Sequence, residues 1–242
     1  MKKNKNKYLN FPVSFLKNPS LDVILELALQ FCSYEMMVLN NGDKSYFDSL
    51  VQSIGFSVDK FELYNYDSKK LYEEYKKDVR CGVNLDAFIN YLNTVKPNTD
   101  KDDYNLEFRA YCATKAVIGN KQYKKTRYKE IFSLMFGYTC YDEIKPETRL
   151  KLAKIDDSRY LKRLLEKLQN KWHLRVYSRN SRGLYISYKL SLHKLILEVK
   201  KNKYIYKNKQ QIAEKKADKI LDKLINDDVL VIDDDCVIDG DS

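Results

Sequence analysis

Arg159, Lys162, Arg163, Gln169 and Asn170 carry two guanidinium groups, one ammonium and two carboxamides within twelve consecutive residues. Their offsets place them on one face of a helix. Guanidinium and ammonium groups make charge-assisted hydrogen bonds to phosphate oxygens, and a carboxamide offers the paired donor and acceptor that match an adenine edge. More cations stand on either side: Lys121, Lys124, Lys125 and Arg127 before this stretch, and Arg175, Arg179 and Arg182 after it. The chemistry these residue types support is recognition of a polyanion.

Bond-breaking chemistry has little to work with. His173 and His193 are the only histidines, too few for a histidine-rich metal site or a histidine-dependent triad. Tyrosine recombinases and rolling-circle nucleases lose ground for the same reason. The seven glycines stand too far apart for a phosphate-binding loop or a dinucleotide turn. Leu195 to Lys200 has the apolar run followed by E-x-K of one strand of a metal-dependent nuclease, with Glu198 as its carboxylate, but no further acidic residue is placed to complete the pair. Tyr123, Tyr128, Tyr177, Tyr185 and Tyr188 interleave with the bases as on a stacking platform for single strands; half-buried packing is the preferred reading. No catalytic residue, metal ligand or cofactor is assigned. The five cysteines form no close pair, which fits reduced structural thiols in the cytoplasm, here of a bacterial host. Asn10, Pro12, Ser14 and Lys17 interrupt any secretory signal, and Asp22, Glu26, Gln30 and Glu35 make Leu21 to Leu39 a buried amphipathic helix, so no membrane partner is expected.

The charge is uneven. Residues 1–105 hold 14 basic and 15 acidic side chains (net −1), residues 106–200 hold 22 and 9 (net +13), and residues 201–242 hold 8 and 10 (net −2). A surplus confined to the middle third is harder to explain as general solubility than an even one. Lys96-Pro97-Asn98-Thr99-Asp100 reads as a linker or long turn. Three regions are therefore expected: a helical region over 1–104 serving protein interaction or homodimerisation, a basic module over 105–200, and a basic-to-acidic C-terminal helix and tail over 201–242. The tail from Asp227 holds seven aspartates and no base, suited to a short hairpin, to covering the basic region, or to disorder.

Within the basic module, Leu106 to Ile118 is apolar at helical spacing and ends at Gly119. Thr126 is expected to cap a second helix with core residues Ile131, Leu134, Met135 and Phe136 before Gly137. After a connector through Pro146, Asp157 to Leu174 repeats Leu161, Leu164, Leu165, Leu168 and Trp172 along one face. The runs Arg175–Ser178 and Leu184–Lys189, joined by a polar tip containing Gly183, predict a β-hairpin, and Trp172 is expected to pack on it. Helix, helix, basic helix, hairpin resembles the winged-helix DNA-binding domains. The fold class is accordingly mainly α with a small β-hairpin wing, a helical N-terminal region preceding a winged-helix-like module. The resemblance implies a third helix in the major groove, presenting Arg159, Lys162, Arg163, Gln169 and Asn170. It also implies Arg179 and Arg182 on phosphate or in the minor groove, with Lys121, Lys124, Lys125, Arg127 and Arg175 adding attraction.

Arg182 to Ser187 is also similar to uncharacterised proteins of phages and mobile elements of gut bacteria, and the abundance of Lys, Asn, Tyr and Ile fits AT-rich coding DNA. The resulting expectation is double-stranded DNA binding by a transcription regulator or replication-initiator-like factor of a phage or mobile element, with no enzymatic activity. Two alternatives stand beside it. One is a protein-binding factor, such as a virion component or an inhibitor of a host nucleic-acid machine. The other is the metal-dependent nuclease.

Overall fold

The computed structural model describes residues 8–52, 64, 66–85, 88, 101–178 and 183–226. In it the chain is mostly helical, with two small antiparallel sheets. It divides into two compact units, residues 1–195 and 196–242. No helix among the described residues is long and apolar enough to cross a membrane.

Helix α1 spans Leu21–Leu39, as the apolar periodicity predicts, and buries Ile24, Leu25, Ala28, Leu29, Phe31 and Cys32. Helices α2 (Ser45–Gln52) and α3 (Tyr66–Tyr75) follow. The helical N-terminal region expected from the sequence also holds a two-stranded sheet for which the sequence offers no hairpin signal, β1 (Tyr8–Pro12) against β2 (Arg80–Asn84), in the register Phe11↔Cys81. From Tyr8 to Phe11 on one strand and along Arg80–Asn84 on the other, buried Leu9, Phe11, Cys81 and Val83 alternate with exposed or half-buried residues, the two-residue period of a sheet with one face on the core; Pro12, at the end of β1, is buried as well. A 3-10 turn, Val13–Lys17, leads from β1 and buries Val13, Phe15 and Leu16.

Helix α4, Lys101–Ile118, is the axis of the first unit. Phe108, Cys112 and Ala113 are buried on it, and so are Glu107, Arg109 and Thr114. A helix buried on every side must be surrounded by protein. Here it packs on β2, on the 3-10 turn and on the helices that follow, and Phe108 stacks on Phe88 with ring centroids 4.4 Å apart. One hydrophobic cluster runs from Leu9 to Ile186. Residues on both sides of the linker expected near 96–103 therefore share a core, and a cut at 104 passes through it.

After α4 the order is β3 (Lys124–Thr126), α5 (Tyr128–Met135), a 3-10 turn (Tyr141–Glu143), α6 (Pro146–Lys151), α7 (Ser158–Lys171), β4 (Arg175–Ser178) and β5 (Leu184–Ser187). The second sheet has the order β3-β5-β4, with Lys124↔Ile186 and Val176↔Ile186 in antiparallel register. Thr126 ends a strand instead of capping α5; its backbone faces Leu184, and Arg127 takes the cap position. The connector through Pro146 is partly helical, with Pro146 at the first position of α6, where its missing N–H costs nothing.

The second unit contains most of α8, Leu192–Asn226. Leu195 to Lys200 lies within that helix, which corrects the nuclease-strand reading: the apolar positions follow Ser191, whose carbonyl accepts the Leu195 N–H at 2.9 Å, and continue as helix. The acidic tail from Asp227 lies outside the described residues.

Candidate nucleic-acid interface

Helix α7 is positioned from both ends. Asp157 caps its start, one carboxylate oxygen accepting the Arg159 N–H at 2.6 Å. Leu161, Leu164, Leu165 and Leu168 are buried, so the helix is fixed by one apolar face. At its end, Lys171 Nζ and Trp172 Nε1 each donate to the buried Glu107 carboxylate at 3.0 Å. The Trp172 ring stacks on Tyr111 with centroids 4.1 Å apart. Trp172 is thus anchored on α4; Tyr188, just past β5, stands edge-on to the same Tyr111 ring. The helix ends at Lys171, three residues before the expected Leu174: His173 takes a left-handed φ of 57°, and the Leu174 N–H turns back to the Leu168 carbonyl.

The side chains opposite this buried stripe are Arg159, Lys162, Arg163, Glu166 and Asn170, all exposed. Gln169 sits at the edge of the face and is half-buried. Arg159, Lys162 and Arg163 make no ion pair among the described residues, nor do Lys121, Lys125 and Arg127. Glu166 stands among the α7 cations without pairing with one. Burial and, after it, the Glu166 carboxylate push the Tyr128 phenol up from its ordinary value.

The start of α7 borders a concavity of about 660 Å³ lined by Lys125, Arg127, Tyr128, Ser158, Ser178 and Gly183 with Leu184. Two cations from the β3–α5 junction, the first turn of α7 and the base of the hairpin therefore open onto one surface. The strand register fixes this: Thr126, Leu184 and Ser178 lie side by side at that end of the sheet. Gly183 is required there, because a Cβ would stand 2.7 Å from the Thr126 carbonyl oxygen. Arg179 and Arg182, expected at the hairpin tip, lie outside the described residues.

Other predicted site residues stand apart from this cluster. Lys124 is half-buried and turned to Glu130, which also accepts the Thr126 hydroxyl at 2.8 Å. Arg175 faces Ser187 at the opposite end of the sheet and donates to its neighbour's carbonyl. Lys121 belongs to that same end, where the Ser187 hydroxyl donates to the Gln122 carbonyl at 2.6 Å and Lys189 Nζ to that of Asn120 at 3.0 Å. The residues missed from sequence are Ser158 on the concavity and Glu107 beneath α7; Tyr128, weighed in the sequence as a stacking or half-buried packing residue, also lines the concavity. A glutamate flanked by Leu106 and Phe108 in a largely apolar helical run was the available signal for Glu107.

No family model, curated protein or solved structure matches this chain.

Proposed function

We propose that this protein binds double-stranded DNA through residues 105–190, acting without catalysis as a transcription regulator or replication-initiator-like factor of a phage or mobile element. The order helix, strand, helix, short helix, helix, hairpin, with the first strand paired to the last, supports a winged-helix-like arrangement with an added short helix before α7. In that arrangement α7 enters the major groove and the hairpin lies along the backbone. The observation that carries the reading is the exposed set Arg159, Lys162 and Arg163 on α7, without an ion pair among the described residues, on the helix whose first residue, Ser158, lines the concavity holding Lys125 and Arg127. Unpaired cations keep their full charge for phosphate, whereas paired ones must first give up a partner. Asn170, on the same face, supplies a carboxamide for a base edge.

Gel-shift titration of the full chain against duplex DNA, single-stranded DNA and RNA of equal length tests this. Retardation of the duplex at the lowest protein concentration is expected. Equal or tighter binding of a single strand defeats the groove-insertion reading, and no binding of any nucleic acid favours a protein partner for the basic surface.

A further inference from the structure

A second cavity, of about 480 Å³, lies on the first unit among the 3-10 turn, α4, the end of α5 and α6. That volume falls within the range of about 300–1,000 Å³ usual for small-molecule sites. Its apolar wall includes Leu16, Leu106, Phe136, Leu152 and Ile155. Its charged lining residues are Arg109, Lys17 and Lys151, with no aspartate or glutamate among them.

Arg109 gives the cavity its polarity. The side chain is 4% exposed, and burial lowers its pKa to about 10. Its guanidinium donates to the carbonyls of Leu16 and Asn18 and to the Asn105 side chain. Two weaker contacts complete the set, to the Met135 carbonyl at 3.4 Å and the Pro19 carbonyl at 3.3 Å. Every one of these acceptors is neutral, and no carboxylate among the described residues pairs with Arg109. A buried charge satisfied by dipoles alone still attracts an anion strongly, because little water screens it. Lys17 Nζ lies 5.0 Å from the centroid of the Tyr138 ring, and Lys151 is exposed at the rim.

We infer that this cavity binds a small organic acid, its apolar body against Leu106, Phe136, Leu152 and Ile155 and its carboxylate toward Arg109. The carboxylate exchanges the two long contacts to the Met135 and Pro19 carbonyls for charge-assisted ones and is flanked by Lys17 and Lys151. Nothing in this assignment depends on the DNA-binding reading, since these residues are separate from the basic concavity.

Isothermal titration of the full chain with octanoate, decanoate and 4-phenylbutyrate, each beside its methyl ester, tests the site. At least one acid is expected to bind with a Kd of about 100 µM or tighter, and its ester about tenfold more weakly or worse. Leu152→Trp, at a half-buried position, fills the space and removes binding while the far-ultraviolet circular dichroism stays that of the parent. Lys151→Glu, on the surface and neutral to the fold, weakens the acid by about threefold or more and leaves any residual ester binding unchanged. Failure of all three acids to bind overturns the inference, as do equal affinities for acid and ester, or an acid affinity that Lys151→Glu does not change.

Discussion

Reversing Arg159, Lys162 and Arg163 together to glutamate is expected to weaken duplex DNA binding by about 10³-fold or more. Each cation that contacts a phosphate or guanine edge contributes on the order of 1–3 kcal/mol, and the reversed charges repel the same phosphates. The fold survives the change, because all three side chains are exposed and none makes an ion pair among the described residues. The cost to α7 itself is limited to like-charge spacings with Glu166, about 0.2–0.5 kcal/mol per pair. A control variant, Lys69→Glu/Lys70→Glu/Lys77→Glu, makes the same change in net charge at exposed positions in and just after α3. Fluorescence anisotropy with a labelled duplex separates the two. If the control loses as much affinity as the α7 variant, binding follows total charge and α7 has no special place in it.

The second large effect is on stability. Gly137→Ala is expected to destabilise the protein by roughly 3 kcal/mol or more, read from urea or thermal unfolding. Gly137 ends α5 with φ at +79°, where the Tyr138 N–H reaches the Ser133 carbonyl at 3.0 Å and the Gly137 N–H the Leu134 carbonyl at 3.2 Å. This is the Schellman closure that favours glycine. For a residue with a Cβ the left-handed conformation alone costs about 1–2 kcal/mol. The added Cβ would also lie 2.7 Å from Lys17 Cγ, 2.8 Å from Lys17 N and 3.0 Å from the Ser14 carbonyl oxygen. Two of those three neighbours are backbone, so the 3-10 turn itself must move, and with it the carbonyls that hold Arg109. Gly119→Ala, at a similar φ of +53° but with its Cβ no closer than 4.0 Å to any atom, gives the conformational cost alone. Comparing the two isolates the steric part. Equal losses would mean that the turn yields without cost.

What the sequence made legible was local. Helix α7 could be read because four leucines repeat at helical spacing behind an aspartate cap, and both features act within the helix. The hairpin was legible for a similar reason: two β-prone runs lie close together around a glycine. The misses all depend on residues far apart in the chain. Strand β3 is only Lys-Lys-Thr, and it becomes a strand because β5, about sixty residues later, offers it an edge. Thr126 has the side chain of a helix cap, but pairing with Leu184 and the hydrogen bond to Glu130 take precedence. The β1–β2 pair is separated by about seventy residues and carries no hairpin signal. Glu107 and Arg109 on α4 are buried because their partners come from the end of α7 and from the 3-10 turn, far away in the chain. For the same reason the cations, equivalent in composition, separate in space. Lys125 and Arg127 join the start of α7, while Lys121 and Arg175 lie at the far end of the sheet.

The most direct test of the central proposal, a cationic α7 and its neighbouring concavity neutralising DNA phosphate, is the salt dependence of duplex affinity for the full chain. Engagement of about four to five phosphates by Lys125, Arg127, Arg159, Lys162 and Arg163 predicts that log K falls against log salt with a slope of about −4 to −5. That corresponds to a loss of about 10²- to 10³-fold between roughly 50 and 200 mM salt. A slope shallower than about −1 would contradict the account, since binding would then proceed without the phosphate contacts on which it depends.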